Sequence, residues 1–324
     1  MRIKIVLVLL FSLLAPCQQS WAQTRAANTA ETVETLTPEI GAIKQFIEIK
    51  TDDPNKPVLL FLSGGPGSSM LRSSDNFTSI LKTRFTLVQW DQRDAGRTLK
   101  LNASPVPPSV ARMESDTLEV INFIINKTGQ KKIYLLGSSW GNVLGFYIVK
   151  THPELLHAYF ASNPVVSQLD SEKALLDNLK AHFKDNPAAA TELSSVHIPF
   201  RTDEDLFFLR KWLFYKEGRT NVTSNQFKDG FLQWSKVWSP VWNEVMNIDL
   251  PKTLTQVRCP VYFFVGRNDI QTSTAITQAY AGTLKAPQKG LFLFEKSGHQ
   301  IHQDEPERFQ NTIINIVDSQ LAGK

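Results

Sequence analysis

Short apolar runs, separated by turn residues, recur along the chain and indicate the strands of a sheet. After a polar stretch at residues 23–38, residues 43–50 largely alternate between apolar and polar side chains, as in a half-buried strand. The turn-forming sequence Asp-Asp-Pro-Asn at 52–55 follows, so we expect a hairpin at the start of the domain. Six later runs are mostly apolar, which is typical of buried parallel strands: 58–62, 85–90, 133–136, 158–161, 261–265 and 291–294.

Helical patterns lie between these runs. In one of them, the apolar residues Leu118, Ile121 and Ile125 recur at helical spacing. A second pattern begins at the Asp-Glu-Pro sequence 304–306, and its apolar stripe consists of Phe309, Ile313, Ile316 and Val317. Strands that alternate with helices predict an α/β fold, with a mostly parallel central sheet and helices on both of its faces.

Residues 165–257 interrupt this alternation. Strand signals stop there, and helical patterns rich in aromatic residues replace them, with Pro199, Pro240 and Pro251 as breakers. We therefore predict an inserted helical cap at 165–257 and a core domain formed by residues 23–164 and 258–324. The large aromatic residues of the cap include Phe207, Phe208, Trp212, Phe214, Trp234, Trp238 and Trp242.

The first 22 residues have the composition of an export signal peptide. Arg2 and Lys4 precede the apolar run 5–14, and the small residues Ser20 and Ala22 stand where signal peptidase cleaves. That run is too short to span a bilayer permanently, and no later run reaches about 18 apolar residues. We expect cleavage after Ala22, a periplasmic or secreted mature protein, and no stable membrane anchor.

The composition is that of a folded globular protein, with 42% hydrophobic and 20% charged residues among 324. The net charge of +4 falls to +2 when the two basic residues of the leader are removed, which is too weak to indicate a nucleic-acid partner. Cleavage would also remove Cys17, one of the two cysteines, so no intramolecular disulfide is expected. Cys259 lies in an apolar run and is expected to be a buried, unreactive thiol.

The sequence Gly-Ser-Ser-Trp-Gly at 137–141 follows a predicted strand and precedes a helical pattern. This is the context of a nucleophile elbow, in which Ser139 would lie at the tip of a strained turn with its hydroxyl exposed. Gly141 and Gly145 share one helical face, so they would let that helix approach the sheet closely. Ser139 is therefore the candidate nucleophile.

A serine hydroxyl needs a base to accept its proton and a carboxylate to orient that base. Asp269 follows the predicted strand 261–265, and His299 follows the strand 291–294, so both belong at the carboxyl edge of the sheet. Serine, aspartate and histidine in this order along the chain form one of the arrangements in which such triads occur. His302 is the alternative base, but it stands nearer to the start of the last helix.

Residues 63–69, Ser-Gly-Gly-Pro-Gly-Ser-Ser, form a glycine-rich turn directly after the strand 58–62. No Gly-Lys-Ser/Thr sequence follows, so this turn is not a phosphate loop. A tetrahedral oxyanion requires two preorganised backbone N–H groups, and we assign these to Gly65 and to Trp140. The interpretation requires no metal and no cofactor.

These motifs resemble those of the α/β-hydrolase peptidases of the proline iminopeptidase type. The similarity covers residues 41–163 and resumes at 259–299. It rests on Leu-Ser-Gly-Gly-Pro-Gly at 62–67, Trp-Asp-Gln-Arg-Asp-Ala-Gly-Arg at 90–97, the serine motif, Gly-Arg-Asn-Asp at 266–269 and Ser-Gly-His at 297–299. The resemblance implies an α/β-hydrolase fold, with Ser139, Asp269 and His299 as the triad. It also implies that Gly65 and Trp140 are the oxyanion donors.

Three positions depart from the usual sequence of that family. Ser63 stands where the family has histidine, Asp94 where it has glycine, and Ser138 where it has histidine or glycine. The cap also lacks a Glu-Asn-His-Tyr-like segment, whose acid holds the free amino group of the substrate in proline iminopeptidases.

The sequence therefore predicts an exported serine hydrolase for a small amide, an ester or a short peptide. Carboxylester and lactone hydrolysis remain open beside peptide hydrolysis, because all three use the same triad. A catalytically silent binding protein of the same fold is a further alternative.

The cap is expected to lie over the serine and to set the substrate preference. Its aromatic residues could simply form the core of the cap, but a lid above a polar triad must present some apolar surface to the pocket. We predict that Trp234, Trp238 and Trp242 contact the substrate, and that apolar substrates are preferred over charged ones.

Overall fold

The computed structural model describes residues 30–71 and 73–322, so the export signal predicted for residues 1–22 lies outside the described residues. The strands are β1 (Thr32–Leu36), β2 (Glu39–Ile40), β3 (Ile43–Lys44), β4 (Phe46–Thr51), β5 (Val58–Leu62), β6 (Thr86–Asp91), β7 (Ile133–Ser138), β8 (Leu156–Ser162), β9 (Val261–Gly266) and β10 (Lys289–Phe294). The helices that precede β8 are α1 (Asp75–Thr78), α2 (Gly96–Leu101), α3 (Val110–Thr128) and α4 (Gly141–Thr151). Those that follow are α5 (Gln168–His182), α6 (Pro187–Ser195), α7 (Asp203–Lys216), α8 (Asn225–Val245), α9 (Leu250–Thr253), α10 (Thr274–Thr283), α11 (Ile301–Asp304) and α12 (Pro306–Ala322).

Eight of the strands form one sheet in the order β1-β4-β6-β5-β7-β8-β9-β10. The pairs β1–β4 and β4–β6 are antiparallel, and every later neighbour pair in the sheet is parallel. The mostly parallel sheet expected from the buried apolar runs is confirmed. All six of those runs correspond to strands, β5 to β10, with ends that differ by at most two residues.

The hairpin predicted around the turn at 52–55 is wrong. The strands on either side of that turn, β4 and β5, are not neighbours, because β4 pairs with β1 and with β6. Strand β1 lies inside the polar stretch at residues 23–38, and its side chains are largely exposed. An edge strand that buries so little apolar surface leaves no hydrophobic pattern in the sequence.

Helices cover both faces of the sheet. In β5, Val58, Leu60 and Leu62 join a core cluster with residues of α3, α4 and α10, while Leu59 and Phe61 join a second cluster with residues of α1 and α12. Successive side chains of a strand point to opposite faces, so the two clusters lie on opposite sides of the sheet. All four residues of the stripe predicted on α12 belong to the second cluster.

The interval between β8 and β9 is folded as helices α5 to α9. Helices α5, α6 and α7 have a hydrophobic cluster of their own, to which Trp212 belongs. Helix α8 instead contributes Trp238, Val241 and Val245 to the main core cluster. This interval therefore combines a separate small core with one helix that is anchored on the sheet domain.

The register of the parallel strands brings several loops to one edge of the sheet. Leu62 pairs with Gly137, Ser138 with Ser162, and Phe294 with Gly266, so the residues that follow these strands meet at the carboxyl edge. None of the helices in the described ranges is long and apolar enough to cross a membrane.

Candidate active site

Ser139 lies in the turn between β7 and α4. Its φ angle is +52°, in the left-handed region that residues other than glycine rarely adopt, so the strained turn expected from the sequence is present. A Cβ atom on Gly141 would overlap the carbonyl oxygen of Leu62, and one on Gly145 would overlap the side chain of Tyr159. Both glycines therefore let α4 begin directly against the sheet, as predicted, which places Ser139 at the carboxyl edge.

The structure brings the three residues of the predicted triad together. The Nε2 atom of His299 is 2.9 Å from Oγ of Ser139, and its Nδ1 atom is 2.8 Å from Oδ2 of Asp269. The side chains of His299 and Asp269 are only 6% and 1% exposed. When the ring carries its proton on Nδ1, it donates to Asp269 and presents an unprotonated Nε2 to the serine hydroxyl. In this tautomer the imidazole can accept the proton of Ser139.

Asp269 is held in its ionised form by its neighbours. Burial by itself would raise the pKa of this carboxyl, but the charge and hydrogen bond of His299 and the hydrogen bonds from Thr272 outweigh burial and lower the pKa. Thr272 donates from Oγ1 to Oδ2 at 2.7 Å, and the backbone N–H of Gln271 donates to Oδ1 at 2.8 Å. The carboxylate is thus fixed in the orientation that receives the ring N–H.

The pKa of His299 is raised above its ordinary value. Burial acts in the opposite direction, but the charge and hydrogen bond of Asp269 outweigh it, and Glu217 adds a smaller effect of the same sign. Arg210 opposes this rise. A raised pKa makes the neutral imidazole a stronger base, and it also means that a higher pH is needed to obtain that neutral form.

His302, the alternative base, has a different position. Its ring packs edge-on against Phe77, with centroids 4.7 Å apart. Burial, and then the charge of His299, lower the pKa of His302 to about 4, so its ring is neutral at ordinary pH. No hydrogen bond joins His302 to Ser139 within the residues described.

The glycine-rich loop after β5 lies against the serine. A Cβ atom on Gly64 would be 3.3 Å from Cβ of Ser139. Gly65 has a φ angle of +122°, and its backbone N–H donates to no acceptor in the described part of the chain; the same is true of the backbone N–H of Trp140. Two unsatisfied amide donors beside a serine hydroxyl are the groups that an oxyanion requires.

Gln92 links the start of the glycine-rich loop to the indole of Trp140, and it was given no role in the sequence analysis although it lies in the motif at 90–97. Its Oε1 accepts a hydrogen bond from the indole Nε1 of Trp140 at 3.1 Å, and its Nε2 donates to the carbonyl oxygen of Ser63 at 3.0 Å. The side chain therefore fixes the elbow and the glycine-rich loop relative to each other. Its place in the 90–97 motif, at the carboxyl edge directly after β6, was the signal that could have singled it out.

A sequence model of the α/β hydrolase fold family matches residues 57–306. This chain belongs to that family. The probable aminopeptidase YbaC of Bacillus subtilis is 27% identical to this α/β hydrolase over 300 residues, which are 85% of the chain and 93% of that protein. The proline iminopeptidase of Heyndrickxia coagulans is 25% identical over 297 residues, covering 86% and 96%.

A solved structure of proline iminopeptidase from Mycobacterium smegmatis shares the fold of this α/β hydrolase. The TM-score is 0.64 at 18% identity, and the match covers 90% of this chain and 100% of the other. The relatives above confirm the resemblance to the proline iminopeptidase group that the sequence motifs indicate, and this structure confirms the fold.

The three departures from the family sequence leave the site intact. Asp94 has a φ of +54°, a conformation that aspartate tolerates better than most residues, and its Oδ1 accepts a hydrogen bond from the backbone of Ser104 at 3.0 Å. The carbonyl oxygen of Ser63 accepts a hydrogen bond from Gln92. Ser138 lines the cavity in front of the triad.

That cavity has a volume of about 360 Å³. Its walls come from the glycine-rich loop, from the segments that follow Asp269 and His299, and from α7, α8 and the residues between these two helices. The lining is mixed, because aromatic residues of the cap stand beside glutamines, serines and three charged residues. Among the described residues, no cluster of three histidine, cysteine, aspartate or glutamate side chains could hold a metal ion.

Glu217 also lines the cavity, and it was not predicted from the sequence. Of the residues that were missed, it has the largest chemical consequence. Its carboxylate forms no hydrogen bond or ion pair in the part of the chain that the structure describes, and burial raises its pKa. By contrast, Arg210 donates to Glu172 at 2.8 Å, and the guanidinium of Arg219 lies 4.5 Å from the ring centre of Phe214. Glu217 thus offers an anion without a direct partner near His299.

Asn163, which follows β8, was also missed. Its side-chain amide donates to the carbonyl oxygen of His299 at 2.8 Å and to that of Gly298 at 3.1 Å. Its Oδ1 accepts from the backbone N–H of Gly266 at 2.9 Å. The available sequence signal was a polar residue directly after a buried strand. That signal does not distinguish a residue that joins two loops from one in an ordinary turn.

The three tryptophans predicted to contact the substrate occupy different positions. Trp234 lines the cavity and donates from Nε1 to the carbonyl oxygen of Pro66 at 3.0 Å. Trp242 lines it too, with its indole N–H directed to Glu172 at 3.3 Å. Trp238 is not among the lining residues; it is 3% exposed, belongs to the main core, and its indole lies where a Cβ on Gly67 would be.

We expect substitutions of Trp234 and Trp238 to have different effects, the first on substrate preference and the second on stability. Trp234→Ala should alter the ratio of kcat/KM between substrates with large and small apolar acyl groups, because it removes a wall of the cavity. Trp238→Ala should instead lower the free energy of unfolding by about 3–5 kcal/mol, the usual result of emptying a buried aromatic site. Kinetics on a substrate pair and denaturant unfolding of both variants measure this. An unchanged substrate ratio in Trp234→Ala would contradict its place in the pocket.

Proposed function

We propose that this α/β hydrolase acts as a serine hydrolase. Oγ of Ser139 attacks the carbonyl carbon of an amide or ester while Nε2 of His299 accepts the hydroxyl proton. The N–H groups of Gly65 and Trp140 bind the resulting oxyanion, and Asp269 stabilises the imidazolium. The bond to the leaving group then breaks as His299 passes its proton to the departing nitrogen or oxygen, which leaves an acyl-enzyme.

The acyl-enzyme is hydrolysed by the same groups in a second half-reaction. A water molecule gives a proton to His299 and attacks the acyl carbon, and the intermediate collapses to release the acid product and restore the hydroxyl of Ser139. The observation that carries the proposal is the continuous hydrogen-bonded chain from Asp269 through His299 to Ser139, with distances of 2.8 and 2.9 Å.

We further propose that the acyl group carries a free amino terminus, so that the enzyme is an aminopeptidase. Glu217 supports this, because a carboxylate without a direct partner in the same cavity as Ser139 is the group that an ammonium requires. The relatives named aminopeptidase and proline iminopeptidase, which match over most of their length, point in the same direction.

Labelling with a fluorophosphonate tests the serine mechanism. An activated serine displaces fluoride and becomes phosphonylated, so we expect one label per chain, on the peptide that contains Ser139, and none in Ser139→Ala. His299→Ala should be labelled far more slowly, because the base is missing. A wild-type protein that stays unlabelled would instead be the silent binding protein of this fold.

Glu217→Gln tests the substrate class. For an aminoacyl arylamide, kcat/KM should fall by about ten- to a hundredfold, since a charge-assisted hydrogen bond to the ammonium is lost. For the same arylamide with an acetylated amino group, kcat/KM should hardly change. Because the charge of Glu217 helps to raise the pKa of His299, the acid limb of the pH profile should also move to lower pH in this variant.

The acetylated substrate is the matched control for that experiment, because it differs only in the charge at the amino terminus. Equal losses on both substrates would show that Glu217 acts on the triad alone and not on the ammonium. A wild-type preference for short-chain aryl esters over every aminoacyl arylamide would favour the carboxylesterase alternative.

A further inference from the structure

A second cavity, of about 400 Å³, lies apart from the triad, between α3, α4 and the segment that joins α8 to α9. Its walls are mainly apolar and include Val143, Phe146, Val165, Ile248, Leu250 and Leu254. Small-molecule sites commonly enclose roughly 300–1,000 Å³ behind such walls, with a few polar groups that fix the orientation of the ligand. The polar groups present here therefore decide what could bind.

Three charged side chains line this cavity, Glu114 on α3, Lys150 on α4 and Asp249 between α8 and α9. Glu114 is half-buried, whereas Lys150 is exposed at the rim. Burial raises the pKa of Glu114, and the charge of Lys150 acts through space to lower it. Even so, neither side chain forms a hydrogen bond or an ion pair with any residue of the described ranges, so the two groups are near each other but not joined.

The other charged groups around the cavity are already engaged. Oε2 of Glu244 accepts a hydrogen bond from the backbone N–H of Val110 at 3.1 Å, and Glu244 also contributes to the raised pKa of Glu114. Asp249 pairs with Lys252 at 2.6 Å. The charged groups that remain free to meet a ligand are therefore the carboxylate of Glu114 and the ammonium of Lys150.

We propose that this cavity binds an amino acid with an apolar side chain. Its ammonium group pairs with Glu114, its carboxylate pairs with Lys150, and its side chain lies against the apolar walls. A zwitterion satisfies both free charges at once, whereas an amine or a carboxylic acid satisfies one and leaves the other unpaired. Glu244 adds to the attraction at the ammonium end.

The cavity also adjoins the nucleophile elbow through Asn142, which is one of its lining residues. The amide of Asn142 donates to the carbonyl oxygens of Ser139 and Ser162, both at 3.0 Å, and its Oδ1 accepts from the hydroxyl of Tyr159 at 2.6 Å. The cavity therefore lies beside Asn142, the buried residue that holds the backbone of Ser139.

Isothermal titration of the Ser139→Ala/Glu217→Gln double variant with L-leucine tests this site without turnover and without the carboxylate proposed to bind an ammonium in the catalytic cavity, so its outcome does not depend on the proposed function. We expect saturable binding of one leucine per chain with a Kd below about 1 mM. Isoamylamine and 4-methylvalerate each carry one of the two charges, and each should bind at least about tenfold more weakly, because a charge-assisted contact is lost.

Variants of the charged residues decide where the leucine binds. Glu114→Gln and Lys150→Met, each added to this double variant, should weaken leucine binding at least about tenfold. The proposal would be overturned if no leucine bound, if isoamylamine or 4-methylvalerate bound as tightly as leucine, or if neither Glu114→Gln nor Lys150→Met weakened binding. Thermal unfolding shows whether each variant is folded.

Discussion

In Ser139→Ala, kcat is expected to fall by roughly 10⁵–10⁶-fold, because the group that attacks the carbonyl carbon is removed. His299→Ala should cost about as much, and the double variant should be no worse than either single variant, since the two residues act as one unit. Asp269→Asn should lower kcat by about 10⁴-fold, because the amide no longer selects the tautomer with its proton on Nδ1. Steady-state kinetics on one amide substrate measure all four.

Ser73→Ala is the matched control for the serine variant. Ser73 lines the same cavity, but its hydroxyl donates to the carbonyl oxygen of Met70 at 3.3 Å and has no base beside it. Its kcat should stay close to that of the wild type. If Ser139→Ala kept more than about a tenth of the activity, the covalent mechanism would be wrong, since oxyanion binding alone does not come so near the complete triad.

Gly65→Ala is expected to lower kcat by about 10²–10³-fold with little change in KM, the usual effect of losing one oxyanion donor. The φ angle of +122° is unfavourable for alanine, and the new Cβ would be 2.8 Å from the backbone nitrogens of Gly67 and Ser68. The loop must therefore shift, and the N–H of residue 65 moves with it. Steady-state kinetics together with thermal unfolding separate this effect from a loss of folded protein.

Gly282→Ala provides the control for that substitution. Gly282 lies in α10, and a Cβ there would meet no atom within 4 Å, so alanine should leave kcat unchanged and should not lower the melting temperature. A Gly65→Ala variant whose kcat stayed within about threefold of the wild type would remove Gly65 from the oxyanion site and leave Trp140 as the remaining candidate donor.

The sequence could place Ser139, Asp269 and His299 at one edge of the sheet because of a property of parallel sheets. Strands β7, β9 and β10 run in one direction, so the residues that follow them reach the same edge, whatever the distance between them along the chain. Ser139, Asp269 and His299 each follow one of these strands. Strand prediction was thus enough to expect the three side chains at one edge, although not their hydrogen-bond distances.

The positions of Glu217 and Trp238 relative to the cavity cannot be predicted from the pattern of apolar and polar residues. Glu217 follows α7 in the cap, and its approach to His299 depends on how the cap helices pack over the sheet, which leaves no local motif. Trp234, Trp238 and Trp242 are spaced by four residues, so periodicity assigns them all to one face of α8. The glycine-rich loop decides which of the three tryptophans lines the cavity, because Gly67 packs against the indole of Trp238.

Asn163 fixes the loop that carries His299 to the sheet. One carboxamide connects segments that are 103 and 136 residues away in the sequence, and it holds the backbone of His299 to the end of β9. The position of the base is therefore set when the sheet forms. The entropy of ordering this loop is lost once, on folding, and little reorganisation is left for each catalytic turnover.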